Sequence, residues 1–590
     1  MTKLLYKIPA KPFLVLMVLL ALLPFLDLRV LRMAGDEKVY LTTAIEMARD
    51  GRWFVQTLAD EPNYFKGPLH YLFTRAGLSV FGDRLIAGLW MNAALALAAA
   101  FAMYSLGRKR WGEKNGLLLG VATALNVGVF SHALASQMEV ELCAFFAFAA
   151  AALGLNPARA GFRGDVVFWL IAGVAGWAKS PVYSVLIGLS GILYWALTGQ
   201  LVSRLRSSGS WLAFLTGALV GIGGYAPAFF LDRENFVNTF ILREQFQKAN
   251  NRRAWHYVLL PLIHFALPWT FVVLAGLAKM ARMAFLSPQK RLSLLKKADL
   301  QMMKLGLAIA LPSLVMWSTW TYKGQNYNLP TMAGLLLFGW ACFNGEIPKL
   351  ATRLAGAIGL VFFAALLAVV LHFWPLPDWW GRGWLLLSFA GILAFSATFL
   401  LSEDFRVLTA GAVAFFIAFG ALITPPGERE MLDIRRFVKE HKNLTYHYYN
   451  LDPSIWSEWS VLQLTLHQPI YGLHKAHQLA KAVQPGNVIL VQNISNLNRV
   501  MDYWRKLYGP ESGNVSSGGS TSGIGVGGSA NADAGTSVGG GTVARTPVVT
   551  PWTRWLTKGK TPEGKSKWKA AWEGRDLRQL EREFFIVWFP

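Results

Sequence analysis

Long apolar runs separated by short polar breaks fill the first 424 residues. There are about thirteen of them, and all but two reach roughly 17–25 residues, the length a helix needs to cross a bilayer. They lie near 13–31, 84–106, 115–131, 142–155, 165–178, 181–198, 211–230, 256–278, 305–321, 328–344, 354–373, 384–401 and 407–424. Each is continuous and Leu/Ala-rich, without strand alternation. Only helices or closed barrels satisfy their own backbone in lipid, so the pattern predicts helices. The first run follows Lys3, Lys7 and Lys11 but lacks a small-residue cleavage site, and is expected to stay as an anchor.

Two regions break this pattern. Residues 32–83 are too polar to span. Within them "YLTTAIEMARDG" puts Tyr40, Ala44, Met47 and Ala48 on one stripe and Glu46, Arg49 and Asp50 on the other side, with Gly51 as a stop. This predicts an amphipathic helix lying in the membrane interface. Beyond "ITPPGERE", the stretches "NLTYHYYN", "PIYGL", "NVILVQN" and "EFFIVWF" predict strands. Helical stretches near 428–441, 454–467, 474–483 and 496–507 lie between some of them. The chain therefore divides into a helical membrane part, 1–424, and a small α/β domain, 425–590. A Gly/Ser-rich insert at 511–549 interrupts the latter and is expected to be a flexible, disordered loop.

The composition agrees: of 590 residues, 54% are hydrophobic and 15% charged. The formal charge of +23 would point to nucleic acid in a soluble protein. Here much of it falls in short loops between spans, including Arg108, Lys109, Arg110 and Lys114, then Arg204 and Arg206, then Lys279 and Arg282. Positive loops stay inside, so the N-terminus is expected in the cytoplasm and the C-terminal domain outside a cytoplasmic (inner) membrane. No nucleic-acid partner is expected there. Trp552, Trp555, Trp568 and Trp572, interleaved with lysines, fit a membrane-surface segment. Cys143 and Cys342 fall in apolar runs and provide no disulfide framework or zinc site. His467, His474 and His477 lack a ligand pattern.

The same topology gathers Asp36, Glu37, Lys66, Glu139, Glu141, Lys179, Arg243, Glu244, Lys323 and Tyr327 on the outer side. Ionisable groups at the hydrocarbon boundary mark substrate paths. Asp36 has a second reading, since it stands where a carboxylate caps the first turn of the predicted helix.

In order and with matching gaps, the chain has "DEKVY", "AIEMARDGRW", "YFKGPLHYLF" and "VFG", then "SQMEVELCAFF", "AKSPV" and "WSTWTYKGQNYNLPTMAGL". This series resembles the GT-C glycosyltransferases, specifically the bacterial aminoarabinose-transferase and protein-mannosyltransferase-like group. The resemblance covers the whole membrane part. It implies transfer of a sugar from a polyprenyl-phosphate donor to a lipid (lipid A-like), glycan or protein acceptor on the outer face. It maps the family's acidic residue onto Asp36, its lysine onto Lys66 and its tyrosine onto Tyr327.

The chemistry needs a group to orient or deprotonate the acceptor oxygen, for which Asp36, Glu37 and Glu139 are candidates. It needs cations against charge growing on the leaving phosphate, for which Lys66, Lys179, Arg243 and Lys323 are candidates. Tyr40 and Tyr327 are expected to wall the donor site. Three departures stand out: Phe65 where the family often has Glu, Val39 where it often has Arg, and Lys-Gly-Pro for Lys-Pro-Pro. Phe65 argues against a divalent metal at this turn without excluding one, and no cofactor is firmly expected. The rival class is a transporter or flippase of a lipid-linked sugar. Transporters show internal repeats and interrupted spans at mid-depth, whereas no repeat is visible here and the polar motifs cluster at span ends.

Overall fold

The structure is a computed structural model. It describes residues 8–26, 37–58, 61–156, 160–247, 254–287, 289–290, 298–320, 324–373, 382–423, 436–441, 443–449, 463, 470–473, 478–479, 482–484, 486–491, 494–508, 548–555 and 581–588. The chain forms two compact units. One comprises Met1–Met431, Ile455–His467 and Ala571–Leu577; the other comprises Leu432–Ser454, Gln468–Ala570 and Arg578–Pro590.

The first unit is helical. Its helices are α1 (Ala10–Leu26), α2 (Glu37–Arg49), α3 (Leu69–Phe81), α4 (Ile86–Ala124), α5 (Val127–Ala133), α6 (Glu139–Leu155), α7 (Phe162–Ala178), α8 (Pro181–Leu197) and α9 (Ser208–Gly223). Then follow α10 (His256–Phe265), α11 (Thr270–Ala284), α12 (Leu300–Thr319), α13 (Met332–Cys342), α14 (Lys349–His372), α15 (Arg382–Leu401) and α16 (Phe405–Ile423). A hairpin of two-residue strands, β1 (Thr57–Leu58) and β2 (Glu61–Pro62), separates α2 from α3. Short helical turns after α9 lead into a π-helical segment, Val237–Gln247. Among the described residues, four helices are long and apolar enough to cross a membrane: α4, α12, α14 and most of α16; six further apolar helices are shorter.

Several predicted spans prove divided. The run expected at 256–278 becomes α10 and α11, because Pro268 lies between them and a proline cannot continue a helical hydrogen-bond ladder. The run expected at 115–131 ends at Ala124, where Asn126 accepts from the Val129 amide and starts α5. Within α4 the backbone turns at Gly112, whose φ of 85° suits glycine, so this long element is two helices meeting at a kink. The surroundings of α2 are more enclosed than its period implies: most of it is buried, including Glu37 and Glu46, each 2% exposed. Its apolar stripe packs with Leu58, Tyr71 and Met138; on its polar side Glu46 is covered, while Arg49 and Asp50 at its end stay exposed.

One end of the unit carries the basic loops, and there lysines close helix ends. Lys109 Nζ donates to the Leu155 carbonyl at 2.7 Å, Lys304 to Leu197 at 2.7 Å and Lys279 to Cys342 at 2.5 Å. These carbonyls lie at the C-terminal ends of α6, α8 and α13, where unpaired acceptors and the helix dipole attract cations.

The second unit contains a five-stranded sheet in the order β4-β3-β5-β7-β6, made of β3 (Thr445–Tyr449), β4 (Ile470–Leu473), β5 (Asn487–Val491), β6 (Val548–Trp555) and β7 (Glu581–Trp588). β4, β3 and β5 are parallel; β7 runs antiparallel between β5 and β6. Val488–Val491 are buried on both faces, as a central strand requires, and α17 (Ile494–Tyr508) packs Val500 and Trp504 onto the same core. β6 corrects the sequence reading: Val548 and Val549, assigned to the Gly/Ser insert, and Trp552 and Trp555, assigned to a membrane-surface segment, belong to this strand. The rest of the insert and Trp568 and Trp572 lie outside the described residues.

His447 sits in β3 beside the Tyr471 ring at 5.8 Å, with its Nδ1 buried and unpartnered. Burial pushes its pKa from 6.5 down to about 4. A depressed folded-state value means the unfolded chain takes the proton first. The stability it confers is complete above about pH 6.5 and is lost as the pH falls toward 4. The protection factors of the β3 amides, taken against intrinsic exchange at each pH, should therefore fall across that window. In His447→Phe this acid-dependent step should shrink; an identical pH response in the variant would exclude His447 as its source.

Candidate active site

The site is built where several helix ends meet. In "AKSP" the chain leaves α7 at Lys179, Ser180 Oγ accepts from the Val182 amide, and Pro181 opens α8. Ser as cap and Pro in the first turn fix this sharp joint. It projects Lys179 to the first residue of α6, so that Nζ lies 2.5 Å from Glu139 Oε1. The same ammonium stands 4.6 Å from the centre of the Tyr327 ring. Tyr327 is itself held edge-on against Trp317 at 4.7 Å.

Lys66 reaches the same place from the loop before α3. The Gly67 amide donates to the Lys179 carbonyl at 2.9 Å, so the two lysine-bearing turns are bonded through their backbones. Lys66 Nζ pairs with Glu244 Oε2 at 3.1 Å, on the π-helical segment. Their side chains are 12% and 5% exposed. Burial pulls the Lys66 pKa down, but the Glu244 carboxylate and Tyr327 outweigh it, and the ammonium is held above the ordinary lysine range. The adjoining residues lock the loop: Tyr64 Oη donates to Asp232 Oδ2 at 2.9 Å, and Asn63 Nδ2 to Thr43 Oγ1 at 2.8 Å.

Two departures from the family pattern now have physical causes. A Cβ on residue 67 would stand 2.2 Å from the Trp177 carbonyl oxygen, so only glycine lets this turn lie on the end of α7. Phe65, in place of an acidic residue, lies under the Arg243 guanidinium at 5.2 Å. Arg243 itself is exposed.

Behind the lysines lies a second buried set. Glu37, in the first turn of α2, accepts the Ser136 amide through Oε1 at 2.8 Å. Ser136 Oγ lies 2.9 Å from His70 Nε2, and His70 Nδ1 lies 2.6 Å from Glu141 Oε1. Tyr40 meets the His70 ring edge-on at 5.4 Å.

The structure thus brings Lys66, Lys179, Glu139 and Tyr327 together, with Glu37 and Tyr40 on the network behind them. Asp36 and Lys323 lie outside the described residues. Among the described residues, no group of three or more His, Cys, Asp or Glu side chains is arranged to hold a metal ion. The sequence reading missed His70 and Ser136. His70 lies inside "KGPLHY", and an imidazole four residues beyond the lysine was the available signal.

An apolar groove of about 390 Å³ begins beside this joint. It runs between α7, α8 and α9, lined by Trp169, Gly173, Pro181, Val185, Phe214 and Ile222 among others. Its floor is tight because α7 and α9 touch: a Cβ on Gly173 would stand 2.2 Å from the Gly217 carbonyl.

No family model and no curated protein matches the sequence. Among solved structures, the fold is that of ArnT, a GT-C glycosyltransferase. ArnT from Cupriavidus metallidurans bound to undecaprenyl phosphate superposes with a TM-score of 0.64 at 17% identity, over 82% of this chain and 93% of that one. The apo state of the same protein gives 0.63 at 16% identity, over the same shares. An oligosaccharyltransferase from Archaeoglobus fulgidus gives 0.41 at 10% identity, over 84% of this chain and 67% of that one. The chain therefore has the fold of the two ArnT structures.

Gly67→Ala tests how the lysine turns are joined. The added methyl should cost about 1–3 kcal/mol of stability, the usual scale of overpacking a filled site. Thermal unfolding in detergent should register this as a lower transition temperature. An unchanged transition would mean the turn has slack that the contact distances deny.

Proposed function

We propose that this chain is a membrane glycosyltransferase. In this reading it moves a monosaccharide from a polyprenyl-phosphate donor to a lipid, glycan or protein acceptor on the outer face of the cytoplasmic membrane. The observation that carries the proposal is the pair of lysines, Lys66 and Lys179, whose turns are bonded through the Gly67 amide and the Lys179 carbonyl, with an apolar groove beginning at Pro181, two residues on. Two ammonium groups, Lys179 buried and Lys66 half-buried, suit a phosphate, and an apolar groove between helices suits a prenyl chain attached to it. The ArnT structure, with the same fold, is bound to undecaprenyl phosphate.

The reaction breaks the bond between the anomeric carbon and the donor phosphate oxygen and forms one to the acceptor oxygen. The phosphate departs with added negative charge, which Lys66 and Lys179 are placed to stabilise. Glu139 and Glu244 hold these ammonium groups until then, and Tyr327 forms a wall beside Lys179. Asp36, next to the buried Glu37, is assigned to the acceptor: it acts as base toward a hydroxyl, or by positioning if the acceptor is already a phosphate. The lysine cluster lies at helix ends rather than at mid-depth, which favours transfer over transport of the lipid-linked sugar. About thirteen spans, a cytoplasmic N-terminus and an extracytoplasmic C-terminal unit belong to this reading, as does transfer without a divalent metal.

Purified protein in nanodiscs should bind undecaprenyl phosphate, and Lys66→Ala should weaken that binding clearly. Asp36→Asn should leave binding intact and lower transfer by roughly 100-fold, the scale of losing a general base. Asn caps a helix as well as Asp does, so wild-type transfer in Asp36→Asn would reduce this residue to a cap. Absence of undecaprenyl phosphate binding in the wild type would sink the donor assignment itself.

A further inference from the structure

We infer that His70 and Glu141 share one buried proton, and that this proton is the clamp that sets Glu37 and the Lys66 turn in place. The argument is a count of hydrogens. Ser136 Oγ lies 3.1 Å from the Gly88 carbonyl, which can only accept, so the single hydroxyl proton points there. His70 Nε2, 2.9 Å from the same oxygen, must then be the donor. A neutral imidazole protonated at Nε2 has a bare lone pair at Nδ1. That Nδ1 lies 2.6 Å from Glu141 Oε1. Two lone pairs do not approach so closely, and a proton lies between them. The pair is either imidazolium with carboxylate or imidazole with carboxylic acid; the proton count is the same. At 2% and 0% side-chain exposure no water replaces that proton.

The position of the pair gives it a task. His70 lies in the first turn of α3, directly after the Lys66-Gly67-Pro68 turn. Glu141 lies in the first turn of α6, which also begins with Glu139, the partner of Lys179. Ser136 carries the contact on to Glu37 through its amide. One hydrogen-bonded chain therefore ties α2, α3, α4 and α6 together behind the two lysines. The groups facing the pair are Tyr40 on α2, Tyr71 on α3, and Glu139 with its Lys179, while Glu37 is reached through Ser136. Without the shared proton, Glu141 becomes an uncompensated anion beside Glu139, and the two helix ends repel. His70 and Glu141 are thus positioning residues for the site proposed above, and their role there rests on that reading.

The test uses the full chain in lipid nanodiscs. Infrared spectra with isotope-labelled histidine should show His70 protonated on both nitrogens, or a protonated carboxyl, over a range of pH. Glu141→Gln keeps the shape, offers an N–H to Nδ1, and should abolish that signal. Undecaprenyl phosphate is the binding probe. In the wild type its affinity should fall roughly 10–100-fold as the pair loses its proton at rising pH, the scale of losing an outer partner in a built site. In Glu141→Gln this alkaline loss should vanish while binding persists. The second ionisation of the phosphate is common to both proteins, so the difference between their profiles isolates the pair. A wild-type spectrum lacking the signal, or an alkaline loss that survives in Glu141→Gln, overturns the inference. A signal removed by Glu141→Gln in a protein that never binds undecaprenyl phosphate supports the shared proton and counts instead against the donor reading.

Discussion

A charge taken out of water keeps its place only beside its opposite, and the helical unit is organised around that constraint. Lys66 has Glu244 and Lys179 has Glu139, and the polar contact of His70 with Glu141 is buried beside them. Removing one partner of such a buried pair typically costs about 3–5 kcal/mol, because the other charge is stranded. These pairs join residues 178, 40 and 71 positions apart in the chain. Apolar contact alone gives little preference for one arrangement of greasy helices over another when lipid is the alternative. The ion pairs supply that preference, and they do so where the chemistry is proposed to occur.

The same arrangement keeps the site uncommitted. Each lysine is already neutralised, so neither draws water or small anions strongly into the interior. In the proposed reading, a phosphate arriving with an apolar chain brings its own charge and takes over from a carboxylate, and the groove that begins at Pro181 and the joint at Lys179 would serve it together.

How much of this was visible beforehand depends on the range of the interaction. The helices and the strands at 445–449, 470–473, 487–491 and 581–588 follow from local periodicity, and the lysine motifs from short patterns. Broken spans were missed because hydropathy averages over Pro268 and Asn126. The surroundings of α2 were missed because a period shows which face is greasier, not whether polar Glu46 is also covered. β6 was missed because its hydrogen bonds run to β7, further along the chain, while the long Gly/Ser-rich stretch just before it dominates its neighbourhood. His70 was missed because a lone histidine among aromatics carries no message until Glu141 and Ser136, more than sixty positions away, close on it.

The lysines at the basic end carry a consequence for how such a protein can change. In the topology that the basic loops predict, Lys109 and Lys279 belong to the charge bias that orients the chain during insertion, and each also closes a helix of the finished bundle, as Lys304 does. One residue therefore answers to two separate demands, made at different moments in the life of the chain. Drift that weakened the topological bias would at the same time bare a carbonyl end, at about 0.3–1 kcal/mol for each cap. Assembly thus defends insertion: the orientation of the chain is buffered against mutation by contacts that form only after orientation has been decided.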